Sequence, residues 1–304
     1  MNILVAGLGI QGNKRLKYFR SYDNVITYDP FNKNSDIQNF KDININKLES
    51  IFICTPVNQK EELIRYFINY NKNIFVEKPS LIDTKRLKKL KKEIDKKKLV
   101  FYTAYNHRFE PNIIDAKKKL QKNDLGKIFM IKGFYGNGTA RDIKKSKWKD
   151  IKNGLIYDLG SHLIDTLVFL MNFNKENFMM SKSFSFENEY EDYICLTNTN
   201  KSILITLEAS YVSWKNRFSF DIYGTKGSMH LSGLCKWGES SLELHKRKLP
   251  SGKPSITRKT YNMEDPTWKS ELNFFRKAVL NKKNYIDRDI IISSIMTNIK
   301  NDQK

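Results

Sequence analysis

The sequence predicts an α/β protein of 304 residues in two domains. The first, residues 1–120, is built on a parallel sheet; the second, residues 121–304, is an α+β domain built mainly on an antiparallel one. Three observations predict this. Over the first 120 residues short apolar runs alternate with amphipathic stretches, the mark of βαβ units. A Gly7-x-Gly9-x-x-Gly12 turn follows the opening apolar run. After about residue 120, strand-like runs succeed one another with turn signals between them.

The predicted strands of the first domain are Ile3–Ala6, Val25–Tyr28, Ser50–Cys54, Ile74–Val76 and Leu99–Thr103. Helix patterns run from Asn13 to Tyr22, over Glu61–Tyr70 and over Thr84–Lys97. Asn71 ends the second of these, because asparagine tolerates the left-handed conformation. Ser80-Leu-Ile-Asp83 starts the third, with Asp83 or Thr84 as its cap. In the second domain Asn123-Asp-Leu-Gly126 is a turn and Lys127–Tyr135 a strand. A helix from about Asp158 to Met171 leads to the strands Tyr193–Thr197, Ser202–Tyr211, Arg217–Tyr223 and Ser228–Ser232. Gly224-Thr-Lys-Gly227 turns between the last two, and helices from about Asp265 to Leu280 and Asp287 to Lys300 follow.

Composition limits the function classes. An apolar content of 40% with 19 Phe belongs to a globular protein and excludes disorder. The net charge of +21 suggests nucleic acid, but only 11 of the 54 basic residues are Arg and no nucleic-acid motif accompanies them. Runs such as Lys88-Lys89-Leu-Lys91-Lys92 sit on a helical pattern as a solvated face. Their field attracts an anionic cofactor or substrate. Cys54, Cys195 and Cys235 are odd in number and far apart, so neither a zinc site nor a disulfide framework is expected, and a reducing cytoplasm is the expected compartment. The opening residues show no basic leader or cleavage site. The longest apolar stretch, Leu163 to Met171, is broken by Asp165, so no membrane segment is expected.

The chemistry concentrates in four places. In the glycine turn, Gly7 permits the sharp bend, Gly9 lets the backbone approach a pyrophosphate, and Gly12 lets helix and strand pack closely. Ile10 and Gln11 lie between them and join the expected cofactor contacts. Asp29 ends the second strand, where a carboxylate accepts ribose hydroxyls and repels a 2′-phosphate; NAD is therefore favoured over NADP. Thr55-Pro56 and Glu77-Lys78-Pro79 each follow a strand, on the edge where open α/β sheets bind ligands. Lys78 is placed there to reach the nicotinamide and the reacting oxygen. Finally, Asp158-Leu-Gly-Ser-His162-Leu-Ile-Asp165 sets two carboxylates and an imidazole on one helical face. Three readings stand: a structural His, a metal site lacking a further strong ligand, and a general base oriented by a carboxylate. The third is adopted and no metal is expected. Asp158 also suits a helix cap, and His107 is a second choice for the acid/base.

These motifs, in this order, resemble the glucose–fructose oxidoreductase/inositol dehydrogenase family (Gfo/Idh/MocA). The likeness rests on Gly7, Gly9 and Gly12, Thr55-Pro56, Glu77-Lys78-Pro79, the Asp158–Asp165 stretch and the turn Gly224-Thr-Lys-Gly227-Ser228. It implies a Rossmann domain and a second domain with an open-faced sheet that forms a homo-oligomer interface. It also implies Lys78, Asp158 and His162 on catalytic positions, and substrates among sugars, inositols and nucleotide sugars. Lys60 departs from the family pattern, which has a His there. The segment Tyr135–Trp148 is expected to border the substrate. Asn106, Arg108, Arg141 and Asp165 are the candidate substrate residues.

The resulting expectation is hydride transfer between NAD and a secondary alcohol or ketone of a sugar or nucleotide sugar, in a surface-polysaccharide pathway by analogy. A cofactor-binding sensor or regulator on the same fold is the alternative; the presence of both Lys78 and His162 favours the enzyme.

Overall fold

The computed structural model describes residues 1–146, 148–173, 177–199 and 202–301. They form two compact units, Met1–Asn106 with Trp268–Ser293, and His107–Thr267 with Ser294–Lys304.

In the first unit β1 (Asn2–Ala6), β2 (Asn24–Tyr28), β3 (Ser50–Ile53), β4 (Asn73–Glu77) and β5 (Phe101–Ala104) form a parallel sheet in the order β2-β1-β3-β4-β5. Every residue of β3 and β5 is buried, as expected of parallel strands covered on both faces. The crossovers are α1 (Ile10–Leu16), α2 (Val57–Asn69) and α3 (Thr84–Lys97). On α3 the stripe Leu87, Leu90 and Ile94 is buried and the lysines face outward; Asp83 caps it by accepting from the Arg86 amide, and Lys98 ends it at φ 53°. Asn71 is left-handed, at φ 59°, directly after α2. The first helix differs from expectation: it begins at Ile10, straight after Gly9, and stops at Leu16 rather than near Tyr22.

The sequence-based division at residue 120 also differs from the compact units, because the helix Thr267–Leu280 beyond its first residue and most of Ile286–Thr297 fall within the first. Phe275 meets Phe52 and Phe75 edge-on, with centroids at 5.4 and 5.3 Å, and Ile286 joins the core of Leu4, Ile51, Phe67 and Phe101. An amphipathic period shows that a helix has a face to bury, not which sheet receives it.

The second unit contains α4 (Pro111–Gln121), β6 (Ile128–Gly136), α5 (Ala140–Ile143), a π-turn over Ile156–Gly160, and α6 (Ser161–Met171). Then come β7 (Phe178–Phe184), β8 (Tyr193–Asn198), β9 (Leu204–Ser210), β10 (Arg217–Gly224), β11 (Gly227–Ser232), β12 (Ser240–Lys248), β13 (Gly252–Tyr261) and β14 (Lys300–Asn301). They form one sheet in the order β13-β12-β11-β10-β6-β9-β8-β7-β14. It is antiparallel except at β6–β9 and β7–β14. Burial alternates along β10, so one face of that strand is covered. β7, β12, β13 and α4 escaped the sequence reading; β13 is exposed throughout except at Tyr261 and therefore shows no alternation. Among the described residues no helix is long and apolar enough to cross a membrane.

One buried charge cluster ties the C-terminal helix to the first sheet. Arg15 Nε donates to Glu77 Oε1 at 2.6 Å, and Arg15 Nη2 lies 2.7 Å from Glu271 Oε2. Tyr102 OH donates to Glu271 Oε1 at 2.9 Å. Burial pushes the Glu271 carboxyl up from 4.5 to about 7, in spite of the guanidinium beside it. A carboxyl raised above its unfolded value contributes stability that is complete below about pH 4.5 and lost as the pH rises through about 7. Glu271→Gln removes this titration. Urea melts at pH 5 and pH 8 should then show the native protein losing on the order of 3 kcal/mol more than the variant over that interval. Equal losses would contradict the assignment.

Candidate active site

The chain leaves β1 at Gly7, whose φ of 94° is open to glycine and strained for other residues. A Cβ on Gly7 would lie 2.9 Å from the backbone of Cys54 and Thr55, and one on Gly12 would lie 2.0 Å from the Gly7 carbonyl oxygen. The turn is thus pressed between the end of β3 and the start of α1. At Gly9 the reverse holds: a Cβ would meet nothing within 4 Å. Gly9 caps α1 with no side-chain bond, which leaves first-turn N–H groups available to an anion. Ile10 is 78% exposed, and Gln11 is exposed beside it.

Asp29 joins this turn to the end of β2. Its Oδ2 accepts from the Leu8 amide at 2.8 Å and its Oδ1 from the Phe31 amide at 2.9 Å. Each carboxylate oxygen keeps a further lone pair for a ribose hydroxyl. Thr55 is buried at the end of β3, and its hydroxyl has no hydrogen-bond partner among the described residues. Pro56 is exposed and begins α2. A bare glycine backbone, a fixed carboxylate and an orphaned hydroxyl on one sheet edge fit a dinucleotide. The pyrophosphate would lie at Gly9, the adenosine ribose at Asp29, and a polar ligand group at Thr55.

Beyond β4 the Lys78–Pro79 peptide is cis, and Lys78 is partly exposed. The Glu77 side chain, expected among the cofactor contacts, turns inward to Arg15 and is 7% exposed. Lys60 also points inward, and its Nζ donates to the carbonyls of Glu77 at 2.5 Å and Pro79 at 2.9 Å.

In the second unit Asp158, His162 and Asp165 are all buried, but the helix is not uniform through them. Asp158 lies in the π-turn and the other two in α6, so the even α-helical spacing expected of the three does not hold. Asp158 does not act as a side-chain cap; the cap positions are Leu155 and Gly160, neither with a capping bond. Asp158 Oδ2 instead receives Lys149 Nζ at 2.8 Å and Tyr211 OH at 3.2 Å. Burial and the adjacent carboxylate push the Tyr211 phenol up, so it stays protonated and donates. His162 stacks on His107 with centroids 4.0 Å apart and planes 20° apart, and Tyr135 stands edge-on to His162 at 5.8 Å. His107 is fully buried, whereas His162 keeps 6% exposure. Asp165 forms a buried pair with Arg108, whose Nε lies 2.9 and 3.0 Å from the two carboxylate oxygens.

The other expected substrate residues are scattered. Asn106 begins a short 3-10 turn in the first unit and is partly buried. Arg141 is 91% exposed, with Nε 3.7 Å from Glu187 Oε2. Within the segment Tyr135–Trp148, residue 147 lies outside the described residues. Sequence reasoning missed Lys149 and Tyr211, and named Tyr135 only as the start of the segment expected to border the substrate. Tyr211 carried a signal, since a buried Tyr at a strand end needs a partner for its hydroxyl. Among the described residues no three His, Cys, Asp or Glu side chains gather to hold a metal ion.

Comparison with known proteins places both units. The family profile described as "Oxidoreductase family, NAD-binding Rossmann fold" matches residues 1–105, and that of the "GFO/IDH/MocA C-terminal domain" matches residues 113–230. The first unit therefore takes a nicotinamide dinucleotide. An uncharacterized oxidoreductase, C26H5.09c, of Schizosaccharomyces pombe is 31% identical over 126 residues, 40% of this chain and 34% of that protein. An inositol 2-dehydrogenase of Rhizobium meliloti is 28% identical over 126 residues, 41% of this chain and 37% of that one. These matches span about a third of the relatives' lengths. A levoglucosan dehydrogenase solved in complex with NADH shares the fold, with a TM-score of 0.78 at 16% identity over 98% of this chain and 95% of that one.

The two glycines separate folding from binding. Gly12→Ala drives a methyl group into the Gly7 carbonyl and should cost about 1–3 kcal/mol of stability. Gly9→Ala meets open space and should melt with the native protein, yet bind NADH roughly tenfold more weakly in a fluorescence titration. Unchanged NADH affinity in Gly9→Ala would remove the cofactor from this turn.

Proposed function

Because this chain belongs to the Gfo/Idh/MocA oxidoreductase family, we propose that it is an NAD-dependent enzyme that interconverts a secondary carbinol and a ketone on a sugar or nucleotide sugar. One observation carries the reading: a nearly buried imidazole, His162, on the helix that follows a carboxylate held by Lys149 and Tyr211. A positioned imidazole is the side chain most often used to remove a hydroxyl proton. NAD is favoured over NADP because the Asp29 carboxylate, fixed by two backbone amides, would repel a 2′-phosphate.

In the proposed reaction the nicotinamide, when bound, supplies the hydride acceptor or donor. His162 takes the proton of the carbinol hydroxyl and returns it in the reverse direction. Asp158 keeps the site's charge balanced as His162 becomes positive, and Lys149 and Tyr211 hold it in place. Lys78 stabilises the developing alkoxide; a donor in that position commonly contributes ~3 kcal/mol. Asp165 and Arg108 complete each other's charge and fix α6 beneath His162, which makes them positioning residues in this reading. The substrate class takes support from relatives whose names specify inositol as substrate.

His162→Ala should lower kcat roughly 10²–10⁴-fold, the usual worth of a general base, with NADH affinity retained. The assay is NADH formation with a panel of sugars, inositols and nucleotide sugars. A variant that lost NADH affinity but kept its rate would exclude this role.

A further inference from the structure

Lysine is an uncommon residue to bury, since its ammonium is strongly hydrated. Lys60 is nevertheless 2% exposed, in the first turn of α2. Its Nζ reaches across to the end of β4 and donates to two carbonyls, Glu77 at 2.5 Å and Pro79 at 2.9 Å. These carbonyls belong to the residues on either side of Lys78. The β3–β4 ladder ends at the Ile53–Val76 pair, so beyond it the turn has no strand bonds on the β3 side. The ammonium supplies bonds in their place. Opposite it, Arg15 grips the side chain of the same Glu77 at 2.6 Å. The turn that presents Lys78 is therefore held from both sides by buried cations.

We infer that Lys60 is a positioning residue for Lys78: by bonding the carbonyls on both sides of Lys78, it fixes the direction in which that side chain leaves the sheet. The inference rests on the reading of Lys78 as the group that stabilises the alkoxide. It also gives a physical meaning to a position where the family pattern has a different side chain. A hydrocarbon at this position would leave two buried carbonyls without a donor. Arginine would preserve a cation and its donors.

The charges around Lys60 define a second consequence. Desolvation is the largest influence and lowers its ammonium to about 8; Glu77 and Cys54 act in the opposite sense, and Lys78 adds to the lowering. Loss of the proton above that pH weakens the grip on both carbonyls, since a neutral amine is the poorer donor.

The test compares full-length wild type, Lys60→Met and Lys60→Arg. Hydrogen exchange is read by mass spectrometry on a peptide covering residues 74–82, with one covering residues 50–54 as control. Lys60→Met should raise exchange in the turn roughly tenfold or more and leave the control unchanged, and Lys60→Arg should restore protection. In wild type, exchange of the turn, corrected for its intrinsic pH dependence, should rise between about pH 7 and pH 9, around the value of about 8 for Lys60, and should stay flat in Lys60→Arg. Turnover is measured with glucose, glucuronate, myo-inositol and UDP-glucose. A displaced Lys78 should lower kcat on the order of 10²-fold in Lys60→Met. KM for NAD should stay within about threefold of wild type, and Lys60→Arg should regain most of the rate.

Unchanged turn exchange in Lys60→Met overturns the inference, as does a loss of NADH affinity that accounts for the whole loss of rate. If Lys60→Met does not fold, wild-type exchange in the turn that ignores pH overturns it equally. If wild type turns over none of the four compounds, the catalytic reading of Lys78 loses its support, while the exchange measurement still decides whether Lys60 holds the turn.

Discussion

The guanidinium of Arg15 lies between two carboxylates, Glu77 at 2.6 Å and Glu271 at 2.7 Å, with the faces of Trp268 and Phe75 at 4.2 and 4.6 Å from its central carbon. It is 2% exposed. A cation so placed is stable only if its partners remain, because removal of one member leaves a buried charge uncompensated. Three parts of the first unit are bound together by this requirement: α1 behind the glycine turn, the end of β4 before Lys78, and the C-terminal helix that carries Glu271. The glycine turn and the Lys78 turn are two of the places where the sheet edge offers chemistry. Both are fixed through the same side chain.

The second unit solves a similar problem in a different way. Its candidate residues Asp158, His162 and Asp165 lie along one helix and the turn before it, and each is met by a partner from elsewhere in the unit. Lys149 and Tyr211 reach Asp158, Arg108 reaches Asp165, and the rings of His107 and Tyr135 pack on His162. The apolar side of α6 is buried as well, so rotation of the helix would break all of these contacts together. An imidazole held so firmly loses little conformational entropy when it takes up a proton, which is the advantage of preorganisation in proton transfer.

Much of the first unit could be read from the chain. Its strands are short apolar runs between helical periods, its glycines carry their reasons in their spacing, and Asp83 announces the start of α3. What escaped was everything that depends on a distant partner. Nothing near Arg15 in sequence reveals Glu271, and nothing near Lys60 reveals the carbonyls beyond β4. Asp165 stood at a helical spacing from His162 that suggested cooperation, yet the side chain that meets it face to face is Arg108, 57 positions earlier. The π-turn at Asp158 had no periodic signature, because one wide turn shifts the register by a single residue. β13 was missed for a simpler reason: a strand exposed at all but its last residue has little apolar alternation to show.

The reaction proposed for this chain moves a hydride between a carbinol carbon and a nicotinamide. The most direct measurement is isotope transfer. The protein is incubated with NAD and a panel of carbon-deuterated hexoses, hexuronates, inositols and nucleotide sugars, and the dinucleotide is recovered for mass spectrometry. Reduced cofactor carrying one deuterium at nicotinamide C4 is expected with at least one member of the panel. Cofactor that binds but remains oxidised and unlabelled with every member would contradict it.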